Sequence, residues 1–193
     1  MMQHSNLLDS LNTAVKAIQT GGIVAYPTEA VYGLGCDPHN EAAVKNIVRI
    51  KQRELSQGVI LIGSDWSQLA PFAAEVPNDA MQKALATWPG PYTWLFPAHP
   101  DTPSWLTGDH DTIALRVTNH ETAGKLCALA NTALVSTSAN RHGEPPARCV
   151  NDVREQFADC LDTIACIIDA PLGESQNPTT IGDVITGQIL RRG

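Results

Sequence analysis

Lys51 and Arg53 stand at the point where an amphipathic helix should end. With Lys45 and Arg49 they place four of the 13 Lys and Arg residues within nine positions. Lys45 and Arg49 are four apart and read as a solvated helix face. Lys51 and Arg53 instead close the helix and enter the loop before the next strand. Cations there are favourable simply because they face the negative end of a helix. Read as chemistry, the same pair is an anion clamp: Arg offers a planar fork and Lys a point charge, a combination suited to a polyphosphate. Small hydroxyl and amide residues recur just after apolar runs: Thr28 after Tyr26-Pro27, Thr93 after Pro91-Tyr92, and Ser136, Ser138 and Asn140 after Leu134-Val135. Each alone is an ordinary turn or cap residue, but at the ends of strands such residues line ligand crevices. Arg116, inside the apolar run 113–117, must find a partner or solvent. Together these residues describe a polar pocket for a phosphorylated ligand.

Other chemistries fit less well. A G-x-x-x-x-G-K-[ST] phosphate loop is absent, and Gly33-Leu34-Gly35 lacks the third glycine of a dinucleotide fingerprint. No G-x-S-x-G elbow is present. Ser136, Ser138 and His142 invite a serine nucleophile, but no acid is placed to orient the histidine. His99, Asp101, Asp109, His110 and Asp111 lie in a Pro/Gly/Asp-rich stretch without ligand spacing, and they read as a solvated loop rather than a metal site.

Positioning these residues requires alternating strands and helices. Leu7, Leu8, Leu11, Ala14, Val15 and Ile18 recur at helical spacing, with Ser5 as cap and Gly21-Gly22 as stop. A second helix begins at Asn40, with Val44, Ile47 and Val48 inward. Further helices are expected over 66–74, 79–87, 121–130 and 150–157. Strands are expected over 23–26, 59–62, 92–96, 112–117, 133–136, 164–168 and 180–185, the last pairing with 188–190 across Thr186-Gly187. The fold class that follows is α/β: a twisted mixed sheet of about seven strands with flanking helices and an open concave pocket. No linker divides the chain, so residues 1–193 read as one domain.

Composition narrows the function. A chain of 193 residues with 43% hydrophobic content can bury roughly 70% of its unfolded surface without a metal or disulfide staple. Its five cysteines form no C-x-x-C pair, and neither a secretory signal nor an apolar run of membrane-spanning length is visible, so a cytoplasmic location is expected. Twenty acidic against 13 basic residues leave a net charge of -7, which argues against an ordinary nucleic-acid binder. It leaves room for a local cationic pocket.

The assembled stretches resemble the YrdC-type threonylcarbamoyl-AMP synthase family in its short bacterial form. Tyr26-Pro27-Thr28-Glu29-Ala30-Val31-Tyr32-Gly33-Leu34-Gly35 is similar to the family's Y-P-T-E-T-x-Y-G-L-G, and Lys51-Gln52-Arg53 to its K-x-R. Pro89-Gly90-Pro91-Tyr92-Thr93, Ala114-Leu115-Arg116-Val117 and Ser136-Thr137-Ser138-Ala139-Asn140 resemble P-G-P-x-T, A-x-R-V and S-T-S-A-N. Ala30 departs from the usual Thr. The stretch 54–58 replaces a Pro-containing, often basic segment, which bears on the phosphate contacts of that loop.

The resemblance implies a YrdC-like fold and a nucleotidyl transfer that joins L-threonine, bicarbonate and ATP into threonylcarbamoyl-AMP, releasing pyrophosphate. A partner threonylcarbamoyl transferase complex would then act on tRNA next to the anticodon. It further implies that Lys51, Arg53, Ser138 and Asn140 carry catalysis. Thr93 and Ser136 would join them around ATP, with Thr28, Tyr32 and Arg116 at the threonine and carbamate end. Thr179 and Thr180 are expected at the pocket edge. Mg2+ is expected with ATP, although no carboxylate announces itself as its ligand. The competing reading is a direct RNA-binding module. At this net charge it predicts only weak, salt-sensitive contact with tRNA or duplex RNA.

Overall fold

In the computed structural model, which describes residues 2–175 and 177–193 with side chains from Leu7 onward, the first apolar stripe forms α1 (Met2–Gln19). Leu11, Ala14, Val15 and Ile18 are buried, whereas Leu8 lies on the flank of the stripe and is exposed. The helix extends N-terminal of Ser5, whose proposed cap lies outside the described side chains. The chain continues through β1 (Ile23–Pro27), β2 (Tyr32–Gly35), α2 (Glu41–Ile50), β3 (Ile60–Gly63), α3 (Trp66–Leu69), α4 (Asn78–Leu85), β4 (Tyr92–Pro97), α5 (Ser104–Thr107), β5 (Thr112–Val117) and α6 (Glu121–Ala130). It ends with β6 (Leu134–Val135), β7 (Thr137–Ser138), α7 (Val150–Gln156), β8 (Ile164–Ile167), β9 (Thr180–Asp183) and β10 (Ile189–Arg191). The helix expected over 66–74 is cut short because Pro71 offers no N–H to continue it.

The architecture is mixed α/β as the patterning implies, but the strands divide into two sheets. One has four strands in the order β7-β2-β1-β8, the other six in the order β10-β9-β4-β5-β3-β6. Parallel pairs (β1 with β8, β3 with β5, β4 with β9) alternate with antiparallel ones, so both sheets are mixed. The region expected as one strand over 133–136 is where the chain changes sheets. Leu134 and Val135 pair with β3, and Thr137 and Ser138 pair with β2. Ser136 sits at the crossing with its N–H on Ile60 O at 2.8 Å.

Two glycine-containing positions explain why β2 escapes a reading based on strand propensity. Gly33 and Gly35 are poor strand formers, yet a Cβ on Gly35 would stand 2.4 Å from Val135 O and 2.8 Å from the Tyr26 ring. The missing side chain lets the crossing segment lie directly on the small sheet. Burial then follows the strand period of two. Ile23 and Ala25 join a core that also contains Leu34, Ile47, Leu61, Phe96 and Leu115. Val24 and Tyr26 point the other way, into a second core under α1 and α6 with Leu11, Ile18, Ile62 and Leu126.

The end of α2 controls the direction of two cations. Asn40 caps its start by accepting from Ala43 N at 3.0 Å. At its end Arg53 N bonds Val48 O and Gln52 N bonds Arg49 O, the paired closure of a Schellman motif. Gln52 occupies the left-handed position with φ 53°. The chain therefore reverses between Lys51 and Arg53, which sends the two side chains to different places. Because a non-glycine residue in this conformation is strained by about 1 kcal/mol, Gln52→Gly should raise the unfolding free energy by roughly 0.5–1 kcal/mol. Gln52→Val should lower it. Urea unfolding of the three proteins checks both directions.

Candidate active site

Lys51 points inward from the helix end and is 4% exposed. Its ammonium donates to Ser138 O, to Asn140 O at 2.7 Å and to Asn140 Oδ1 at 3.2 Å. Its own carbonyl accepts from His142 N at 2.9 Å. One residue thus fastens the segment 138–142 to α2 through both main chain and side chain. Within that segment Ser138 Oγ donates to Asn140 Oδ1 at 2.6 Å, while Asn140 Nδ2 donates to Arg141 O and Glu144 O.

Beside this segment lies a cavity of about 650 Å³. Both sheets contribute to its wall: Thr28, Tyr32, Ser136, Ser138 and Asn140 come from the small sheet and the crossing, and Arg116 comes from β5 of the large one. Arg53 and Thr179 complete the set of expected residues that reach it. Three expected residues do not. Lys51 lies behind the wall, its ammonium engaged by the carbonyls it supports. Thr93 is wholly buried, with its Oγ1 3.1 Å from Thr179 Oγ1, so it props up the wall rather than lining it. Thr180 Oγ1 accepts from Gly193 N at 3.1 Å and anchors the chain end.

The lining hydroxyls of Tyr32 and Thr28, like that of Ser138, already have partners in the fold. Tyr32 OH lies 3.2 Å from Ile168 O and Ala170 O, and Thr28 Oγ1 donates to Val31 O at 2.7 Å. Tyr32 therefore offers its ring to the cavity, and Thr28 offers the remaining lone pairs of its oxygen.

Charge is arranged asymmetrically. Arg116 is 5% exposed and meets Glu29, itself 4% exposed, at 3.5 Å. Glu29 Oε1 accepts from Thr118 Oγ1 at 2.6 Å, and Arg116 Nη1 donates to Thr179 Oγ1 at 3.2 Å. The ion contact is longer than a charge-assisted hydrogen bond, and among the described residues Glu29 Oε2 and Arg116 Nε find no hydrogen-bond partner. Arg191, from β10, also lines the cavity and donates to Thr179 O at 2.9 Å. Burial, and after it the neighbouring Arg116, lowers the Arg191 pKa. Burial likewise lowers that of Arg53. Three guanidiniums around one cavity, with a single carboxylate behind one of them, favour an anionic occupant.

Glu29 and Arg191 were not singled out by sequence pattern. A signal existed for Glu29, an acid within the apolar and aromatic stretch 23–35, where an unpaired charge could not be buried. None existed for Arg191, one of two adjacent arginines at the chain end. The His/Asp stretch behaves as a solvated loop: His99 Nδ1 lies 3.7 Å from Asp101 with both exposed. His110 alone of that group reaches the cavity. Among the described residues no group of three or more His, Cys, Asp or Glu side chains could hold a metal ion. Likewise, no helix among them is long and apolar enough to cross a membrane.

Fold and cavity together define a class: an α/β protein whose two mixed sheets meet at a guanidinium-lined site for an anion. The family model Sua5_yciO_yrdC, described as telomere recombination, matches residues 16–193. The chain belongs to this Sua5/YciO/YrdC family. It is 49% identical over 182 residues to a threonylcarbamoyl-AMP synthase of Coxiella burnetii, covering 94% of this chain and 96% of that one. The structure of P. abyssi Sua5 complexed with L-threonine superposes with a TM-score of 0.85 at 35% identity, over 94% of this chain. This chain spans about half of that one, 53%. E. coli YciO superposes with a TM-score of 0.80 at 27% identity, over 95% of this chain and 88% of its own.

Two measurements probe the buried charges. Burial, and after it the nearby Arg53, brings the Lys51 pKa down to about 7. Between about pH 7 and the ordinary lysine value near 10.4 the unfolded chain holds this proton and the folded chain does not. This group therefore makes stability rise with pH across that window and contributes a constant term below it. The urea midpoint of Lys51→Met should lack that rise when compared with the parent from pH 6 to 10. Glu29→Ala strands the Arg116 charge and should cost about 3–5 kcal/mol of stability. Removing both members by Glu29→Met with Arg116→Met should recover most of that loss in the same assay.

Proposed function

We propose that this chain is a threonylcarbamoyl-AMP synthase, an enzyme that condenses L-threonine, bicarbonate and ATP into threonylcarbamoyl-AMP and pyrophosphate for modification of tRNA next to the anticodon. The observation that carries the reading is convergence. Residues from Y-P-T-E-A-V-Y-G-L-G, K-x-R, A-L-R-V and S-T-S-A-N, far apart in the chain, meet around one cavity. Relatives aligned over nearly the full length bear this name.

The reaction asks for no nucleophilic side chain. Threonine's amine and bicarbonate form a carbamate with loss of water. A carbamate oxygen then attacks the α-phosphorus of ATP, and the bond to the bridging oxygen breaks to release pyrophosphate. Catalysis lies in alignment and in neutralising negative charge. Arg53 faces the triphosphate and the leaving pyrophosphate. Ser138 would turn its hydroxyl from Asn140 Oδ1 to a phosphate or carbamate oxygen, and Asn140, whose amide hydrogens are held by Arg141 O and Glu144 O, keeps that hydroxyl in place. Arg116, held by Glu29, faces the threonine and carbamate end, where its charge attracts the carboxylates and Thr28 and the Tyr32 ring shape the wall. Arg191 shares the anionic load. Lys51 works through the segment 138–140, and Thr93 works through Thr179.

Mg2+ would enter with ATP and neutralise part of the triphosphate charge beside Arg53. The labile product passes to a separate threonylcarbamoyl transferase complex. An acidic molecule with only three arginines at its cavity makes only weak direct contact with tRNA or duplex RNA. A cytoplasmic location is consistent with these substrates and with the tRNA pathway.

Purified protein should incorporate radiolabelled bicarbonate into a nucleotide product only when threonine and ATP are both present. Absence of that dependence overturns the assignment. Arg53→Ala should lower turnover by roughly 10²–10³-fold, the usual effect of removing one transition-state donor. Lys51→Ala should do the same by releasing the segment 138–140, with the far-ultraviolet circular dichroism of both variants unchanged.

A further inference from the structure

Arg53 is held at its tip as well as at its base. Its Nε donates to Gln57 Oε1 at 2.6 Å and its Nη2 to Gln57 O at 3.4 Å, and both residues line the cavity. The single turn that carries Gln57 (Leu55–Gln57) is itself fixed. Asp109 N donates to Ser56 O at 2.9 Å and Val59 N to Leu106 O at 2.8 Å. Gly58 and Gly108 have φ values of 64° and 63°, and they allow the two segments to touch. A Cβ on Gly108 would stand 2.2 Å from Ser56 O, and one on Gly58 would stand 2.7 Å from Thr107 O. Gln57 is therefore presented by a docked turn rather than by a free loop.

The chemistry of this acceptor matters as much as its place. Among the described residues no carboxylate pairs with Arg53, whereas Arg116 has Glu29 and Arg141 has Asp159. An amide oxygen orients a guanidinium through a charge-assisted hydrogen bond and leaves its charge intact. A carboxylate in the same position would hold the same geometry and cancel the charge.

We propose that Gln57 is a charge-preserving positioning residue that aims Arg53 at the triphosphate of ATP. This rests on the reading of ATP as a substrate. It assigns the stretch 54–58 a role of its own: a neutral clamp in place of further cations.

The test uses the full chain and the variants Gln57→Leu and Gln57→Glu. ATP affinity is measured by calorimetry at several salt concentrations, and steady-state rates are measured with ATP and threonine varied separately. Gln57→Leu should weaken ATP binding and raise its KM by about 5–10-fold, the effect of losing one hydrogen bond of ordinary net strength while Arg53 keeps its charge. Gln57→Glu should weaken both by more than tenfold and flatten the salt dependence, because the site has lost one net positive charge. The KM for threonine should stay within about twofold and the melting temperatures should be unchanged. Gln57→Glu binding ATP as tightly as the parent overturns the proposal. So does a parallel rise in the KM values of both substrates, which marks a merely structural role. A parent protein that binds ATP but makes no product would refute the synthase reading while leaving the calorimetric comparison decisive for Gln57. A parent that binds no ATP refutes both.

Discussion

The site depends on one buried ammonium. Lys51 meets three oxygens of the segment 138–140, and its own carbonyl receives His142 N. That segment directly follows the crossing from one sheet to the other, where the β6 and β7 pairings are only two residues long each. A charge buried to 4% exposure is tolerable because three acceptors surround it. The same satisfaction makes the arrangement rigid. Ser138 and Asn140 reach the cavity from a main chain that Lys51 holds in place, and the reversal at Gln52 lets Arg53 face the cavity two residues later.

The cavity's electrostatics follow from how differently its arginines are supported. Arg116 is buried against Glu29 and donates to Thr179 Oγ1. Arg191 leans on a carbonyl of Thr179 and feels the charge of Arg116. Arg53 rests on a neutral amide. The molecule therefore carries a net charge of -7 while turning three cations toward a space of about 650 Å³. Three charges in that volume match a nucleotide and fall far short of the phosphate track that a nucleic-acid duplex requires.

Much of this was legible in the residues. The apolar runs of 23–26 and 112–117 and the helical stripe of Val44, Ile47 and Val48 gave β1, β5 and α2 nearly at their observed limits, because β1 is buried on both faces and α2 on one. The four-residue β2 was hidden by its glycines, whose value lies in what they leave out: a close approach across 100 residues of chain has no local pattern. The same reason explains the second sheet. The run 133–138 passes from apolar to hydroxyl residues without a turn signal, and nothing within it marks the residue at which its pairing partner changes.

The site divides along the same line. By itself the sequence determined which chemistry was available: an arginine after a helix end, hydroxyl and amide groups after strands, a charge inside a strand, and ordered motifs similar to those of one family. Arg53, Arg116, Ser136, Ser138 and Asn140 reach the cavity, as those positions implied. The tertiary structure alone decided direction and support. It turned Lys51 inward, set Thr93 and Thr180 behind the wall, and brought Glu29 beneath Arg116 and Arg191 beside it. The physical reason is that residue type and spacing specify which groups can bond or carry charge. Whether a group faces a ligand or its own fold depends on which distant carbonyls, carboxylates and amides the packed sheets bring within 3 Å of it.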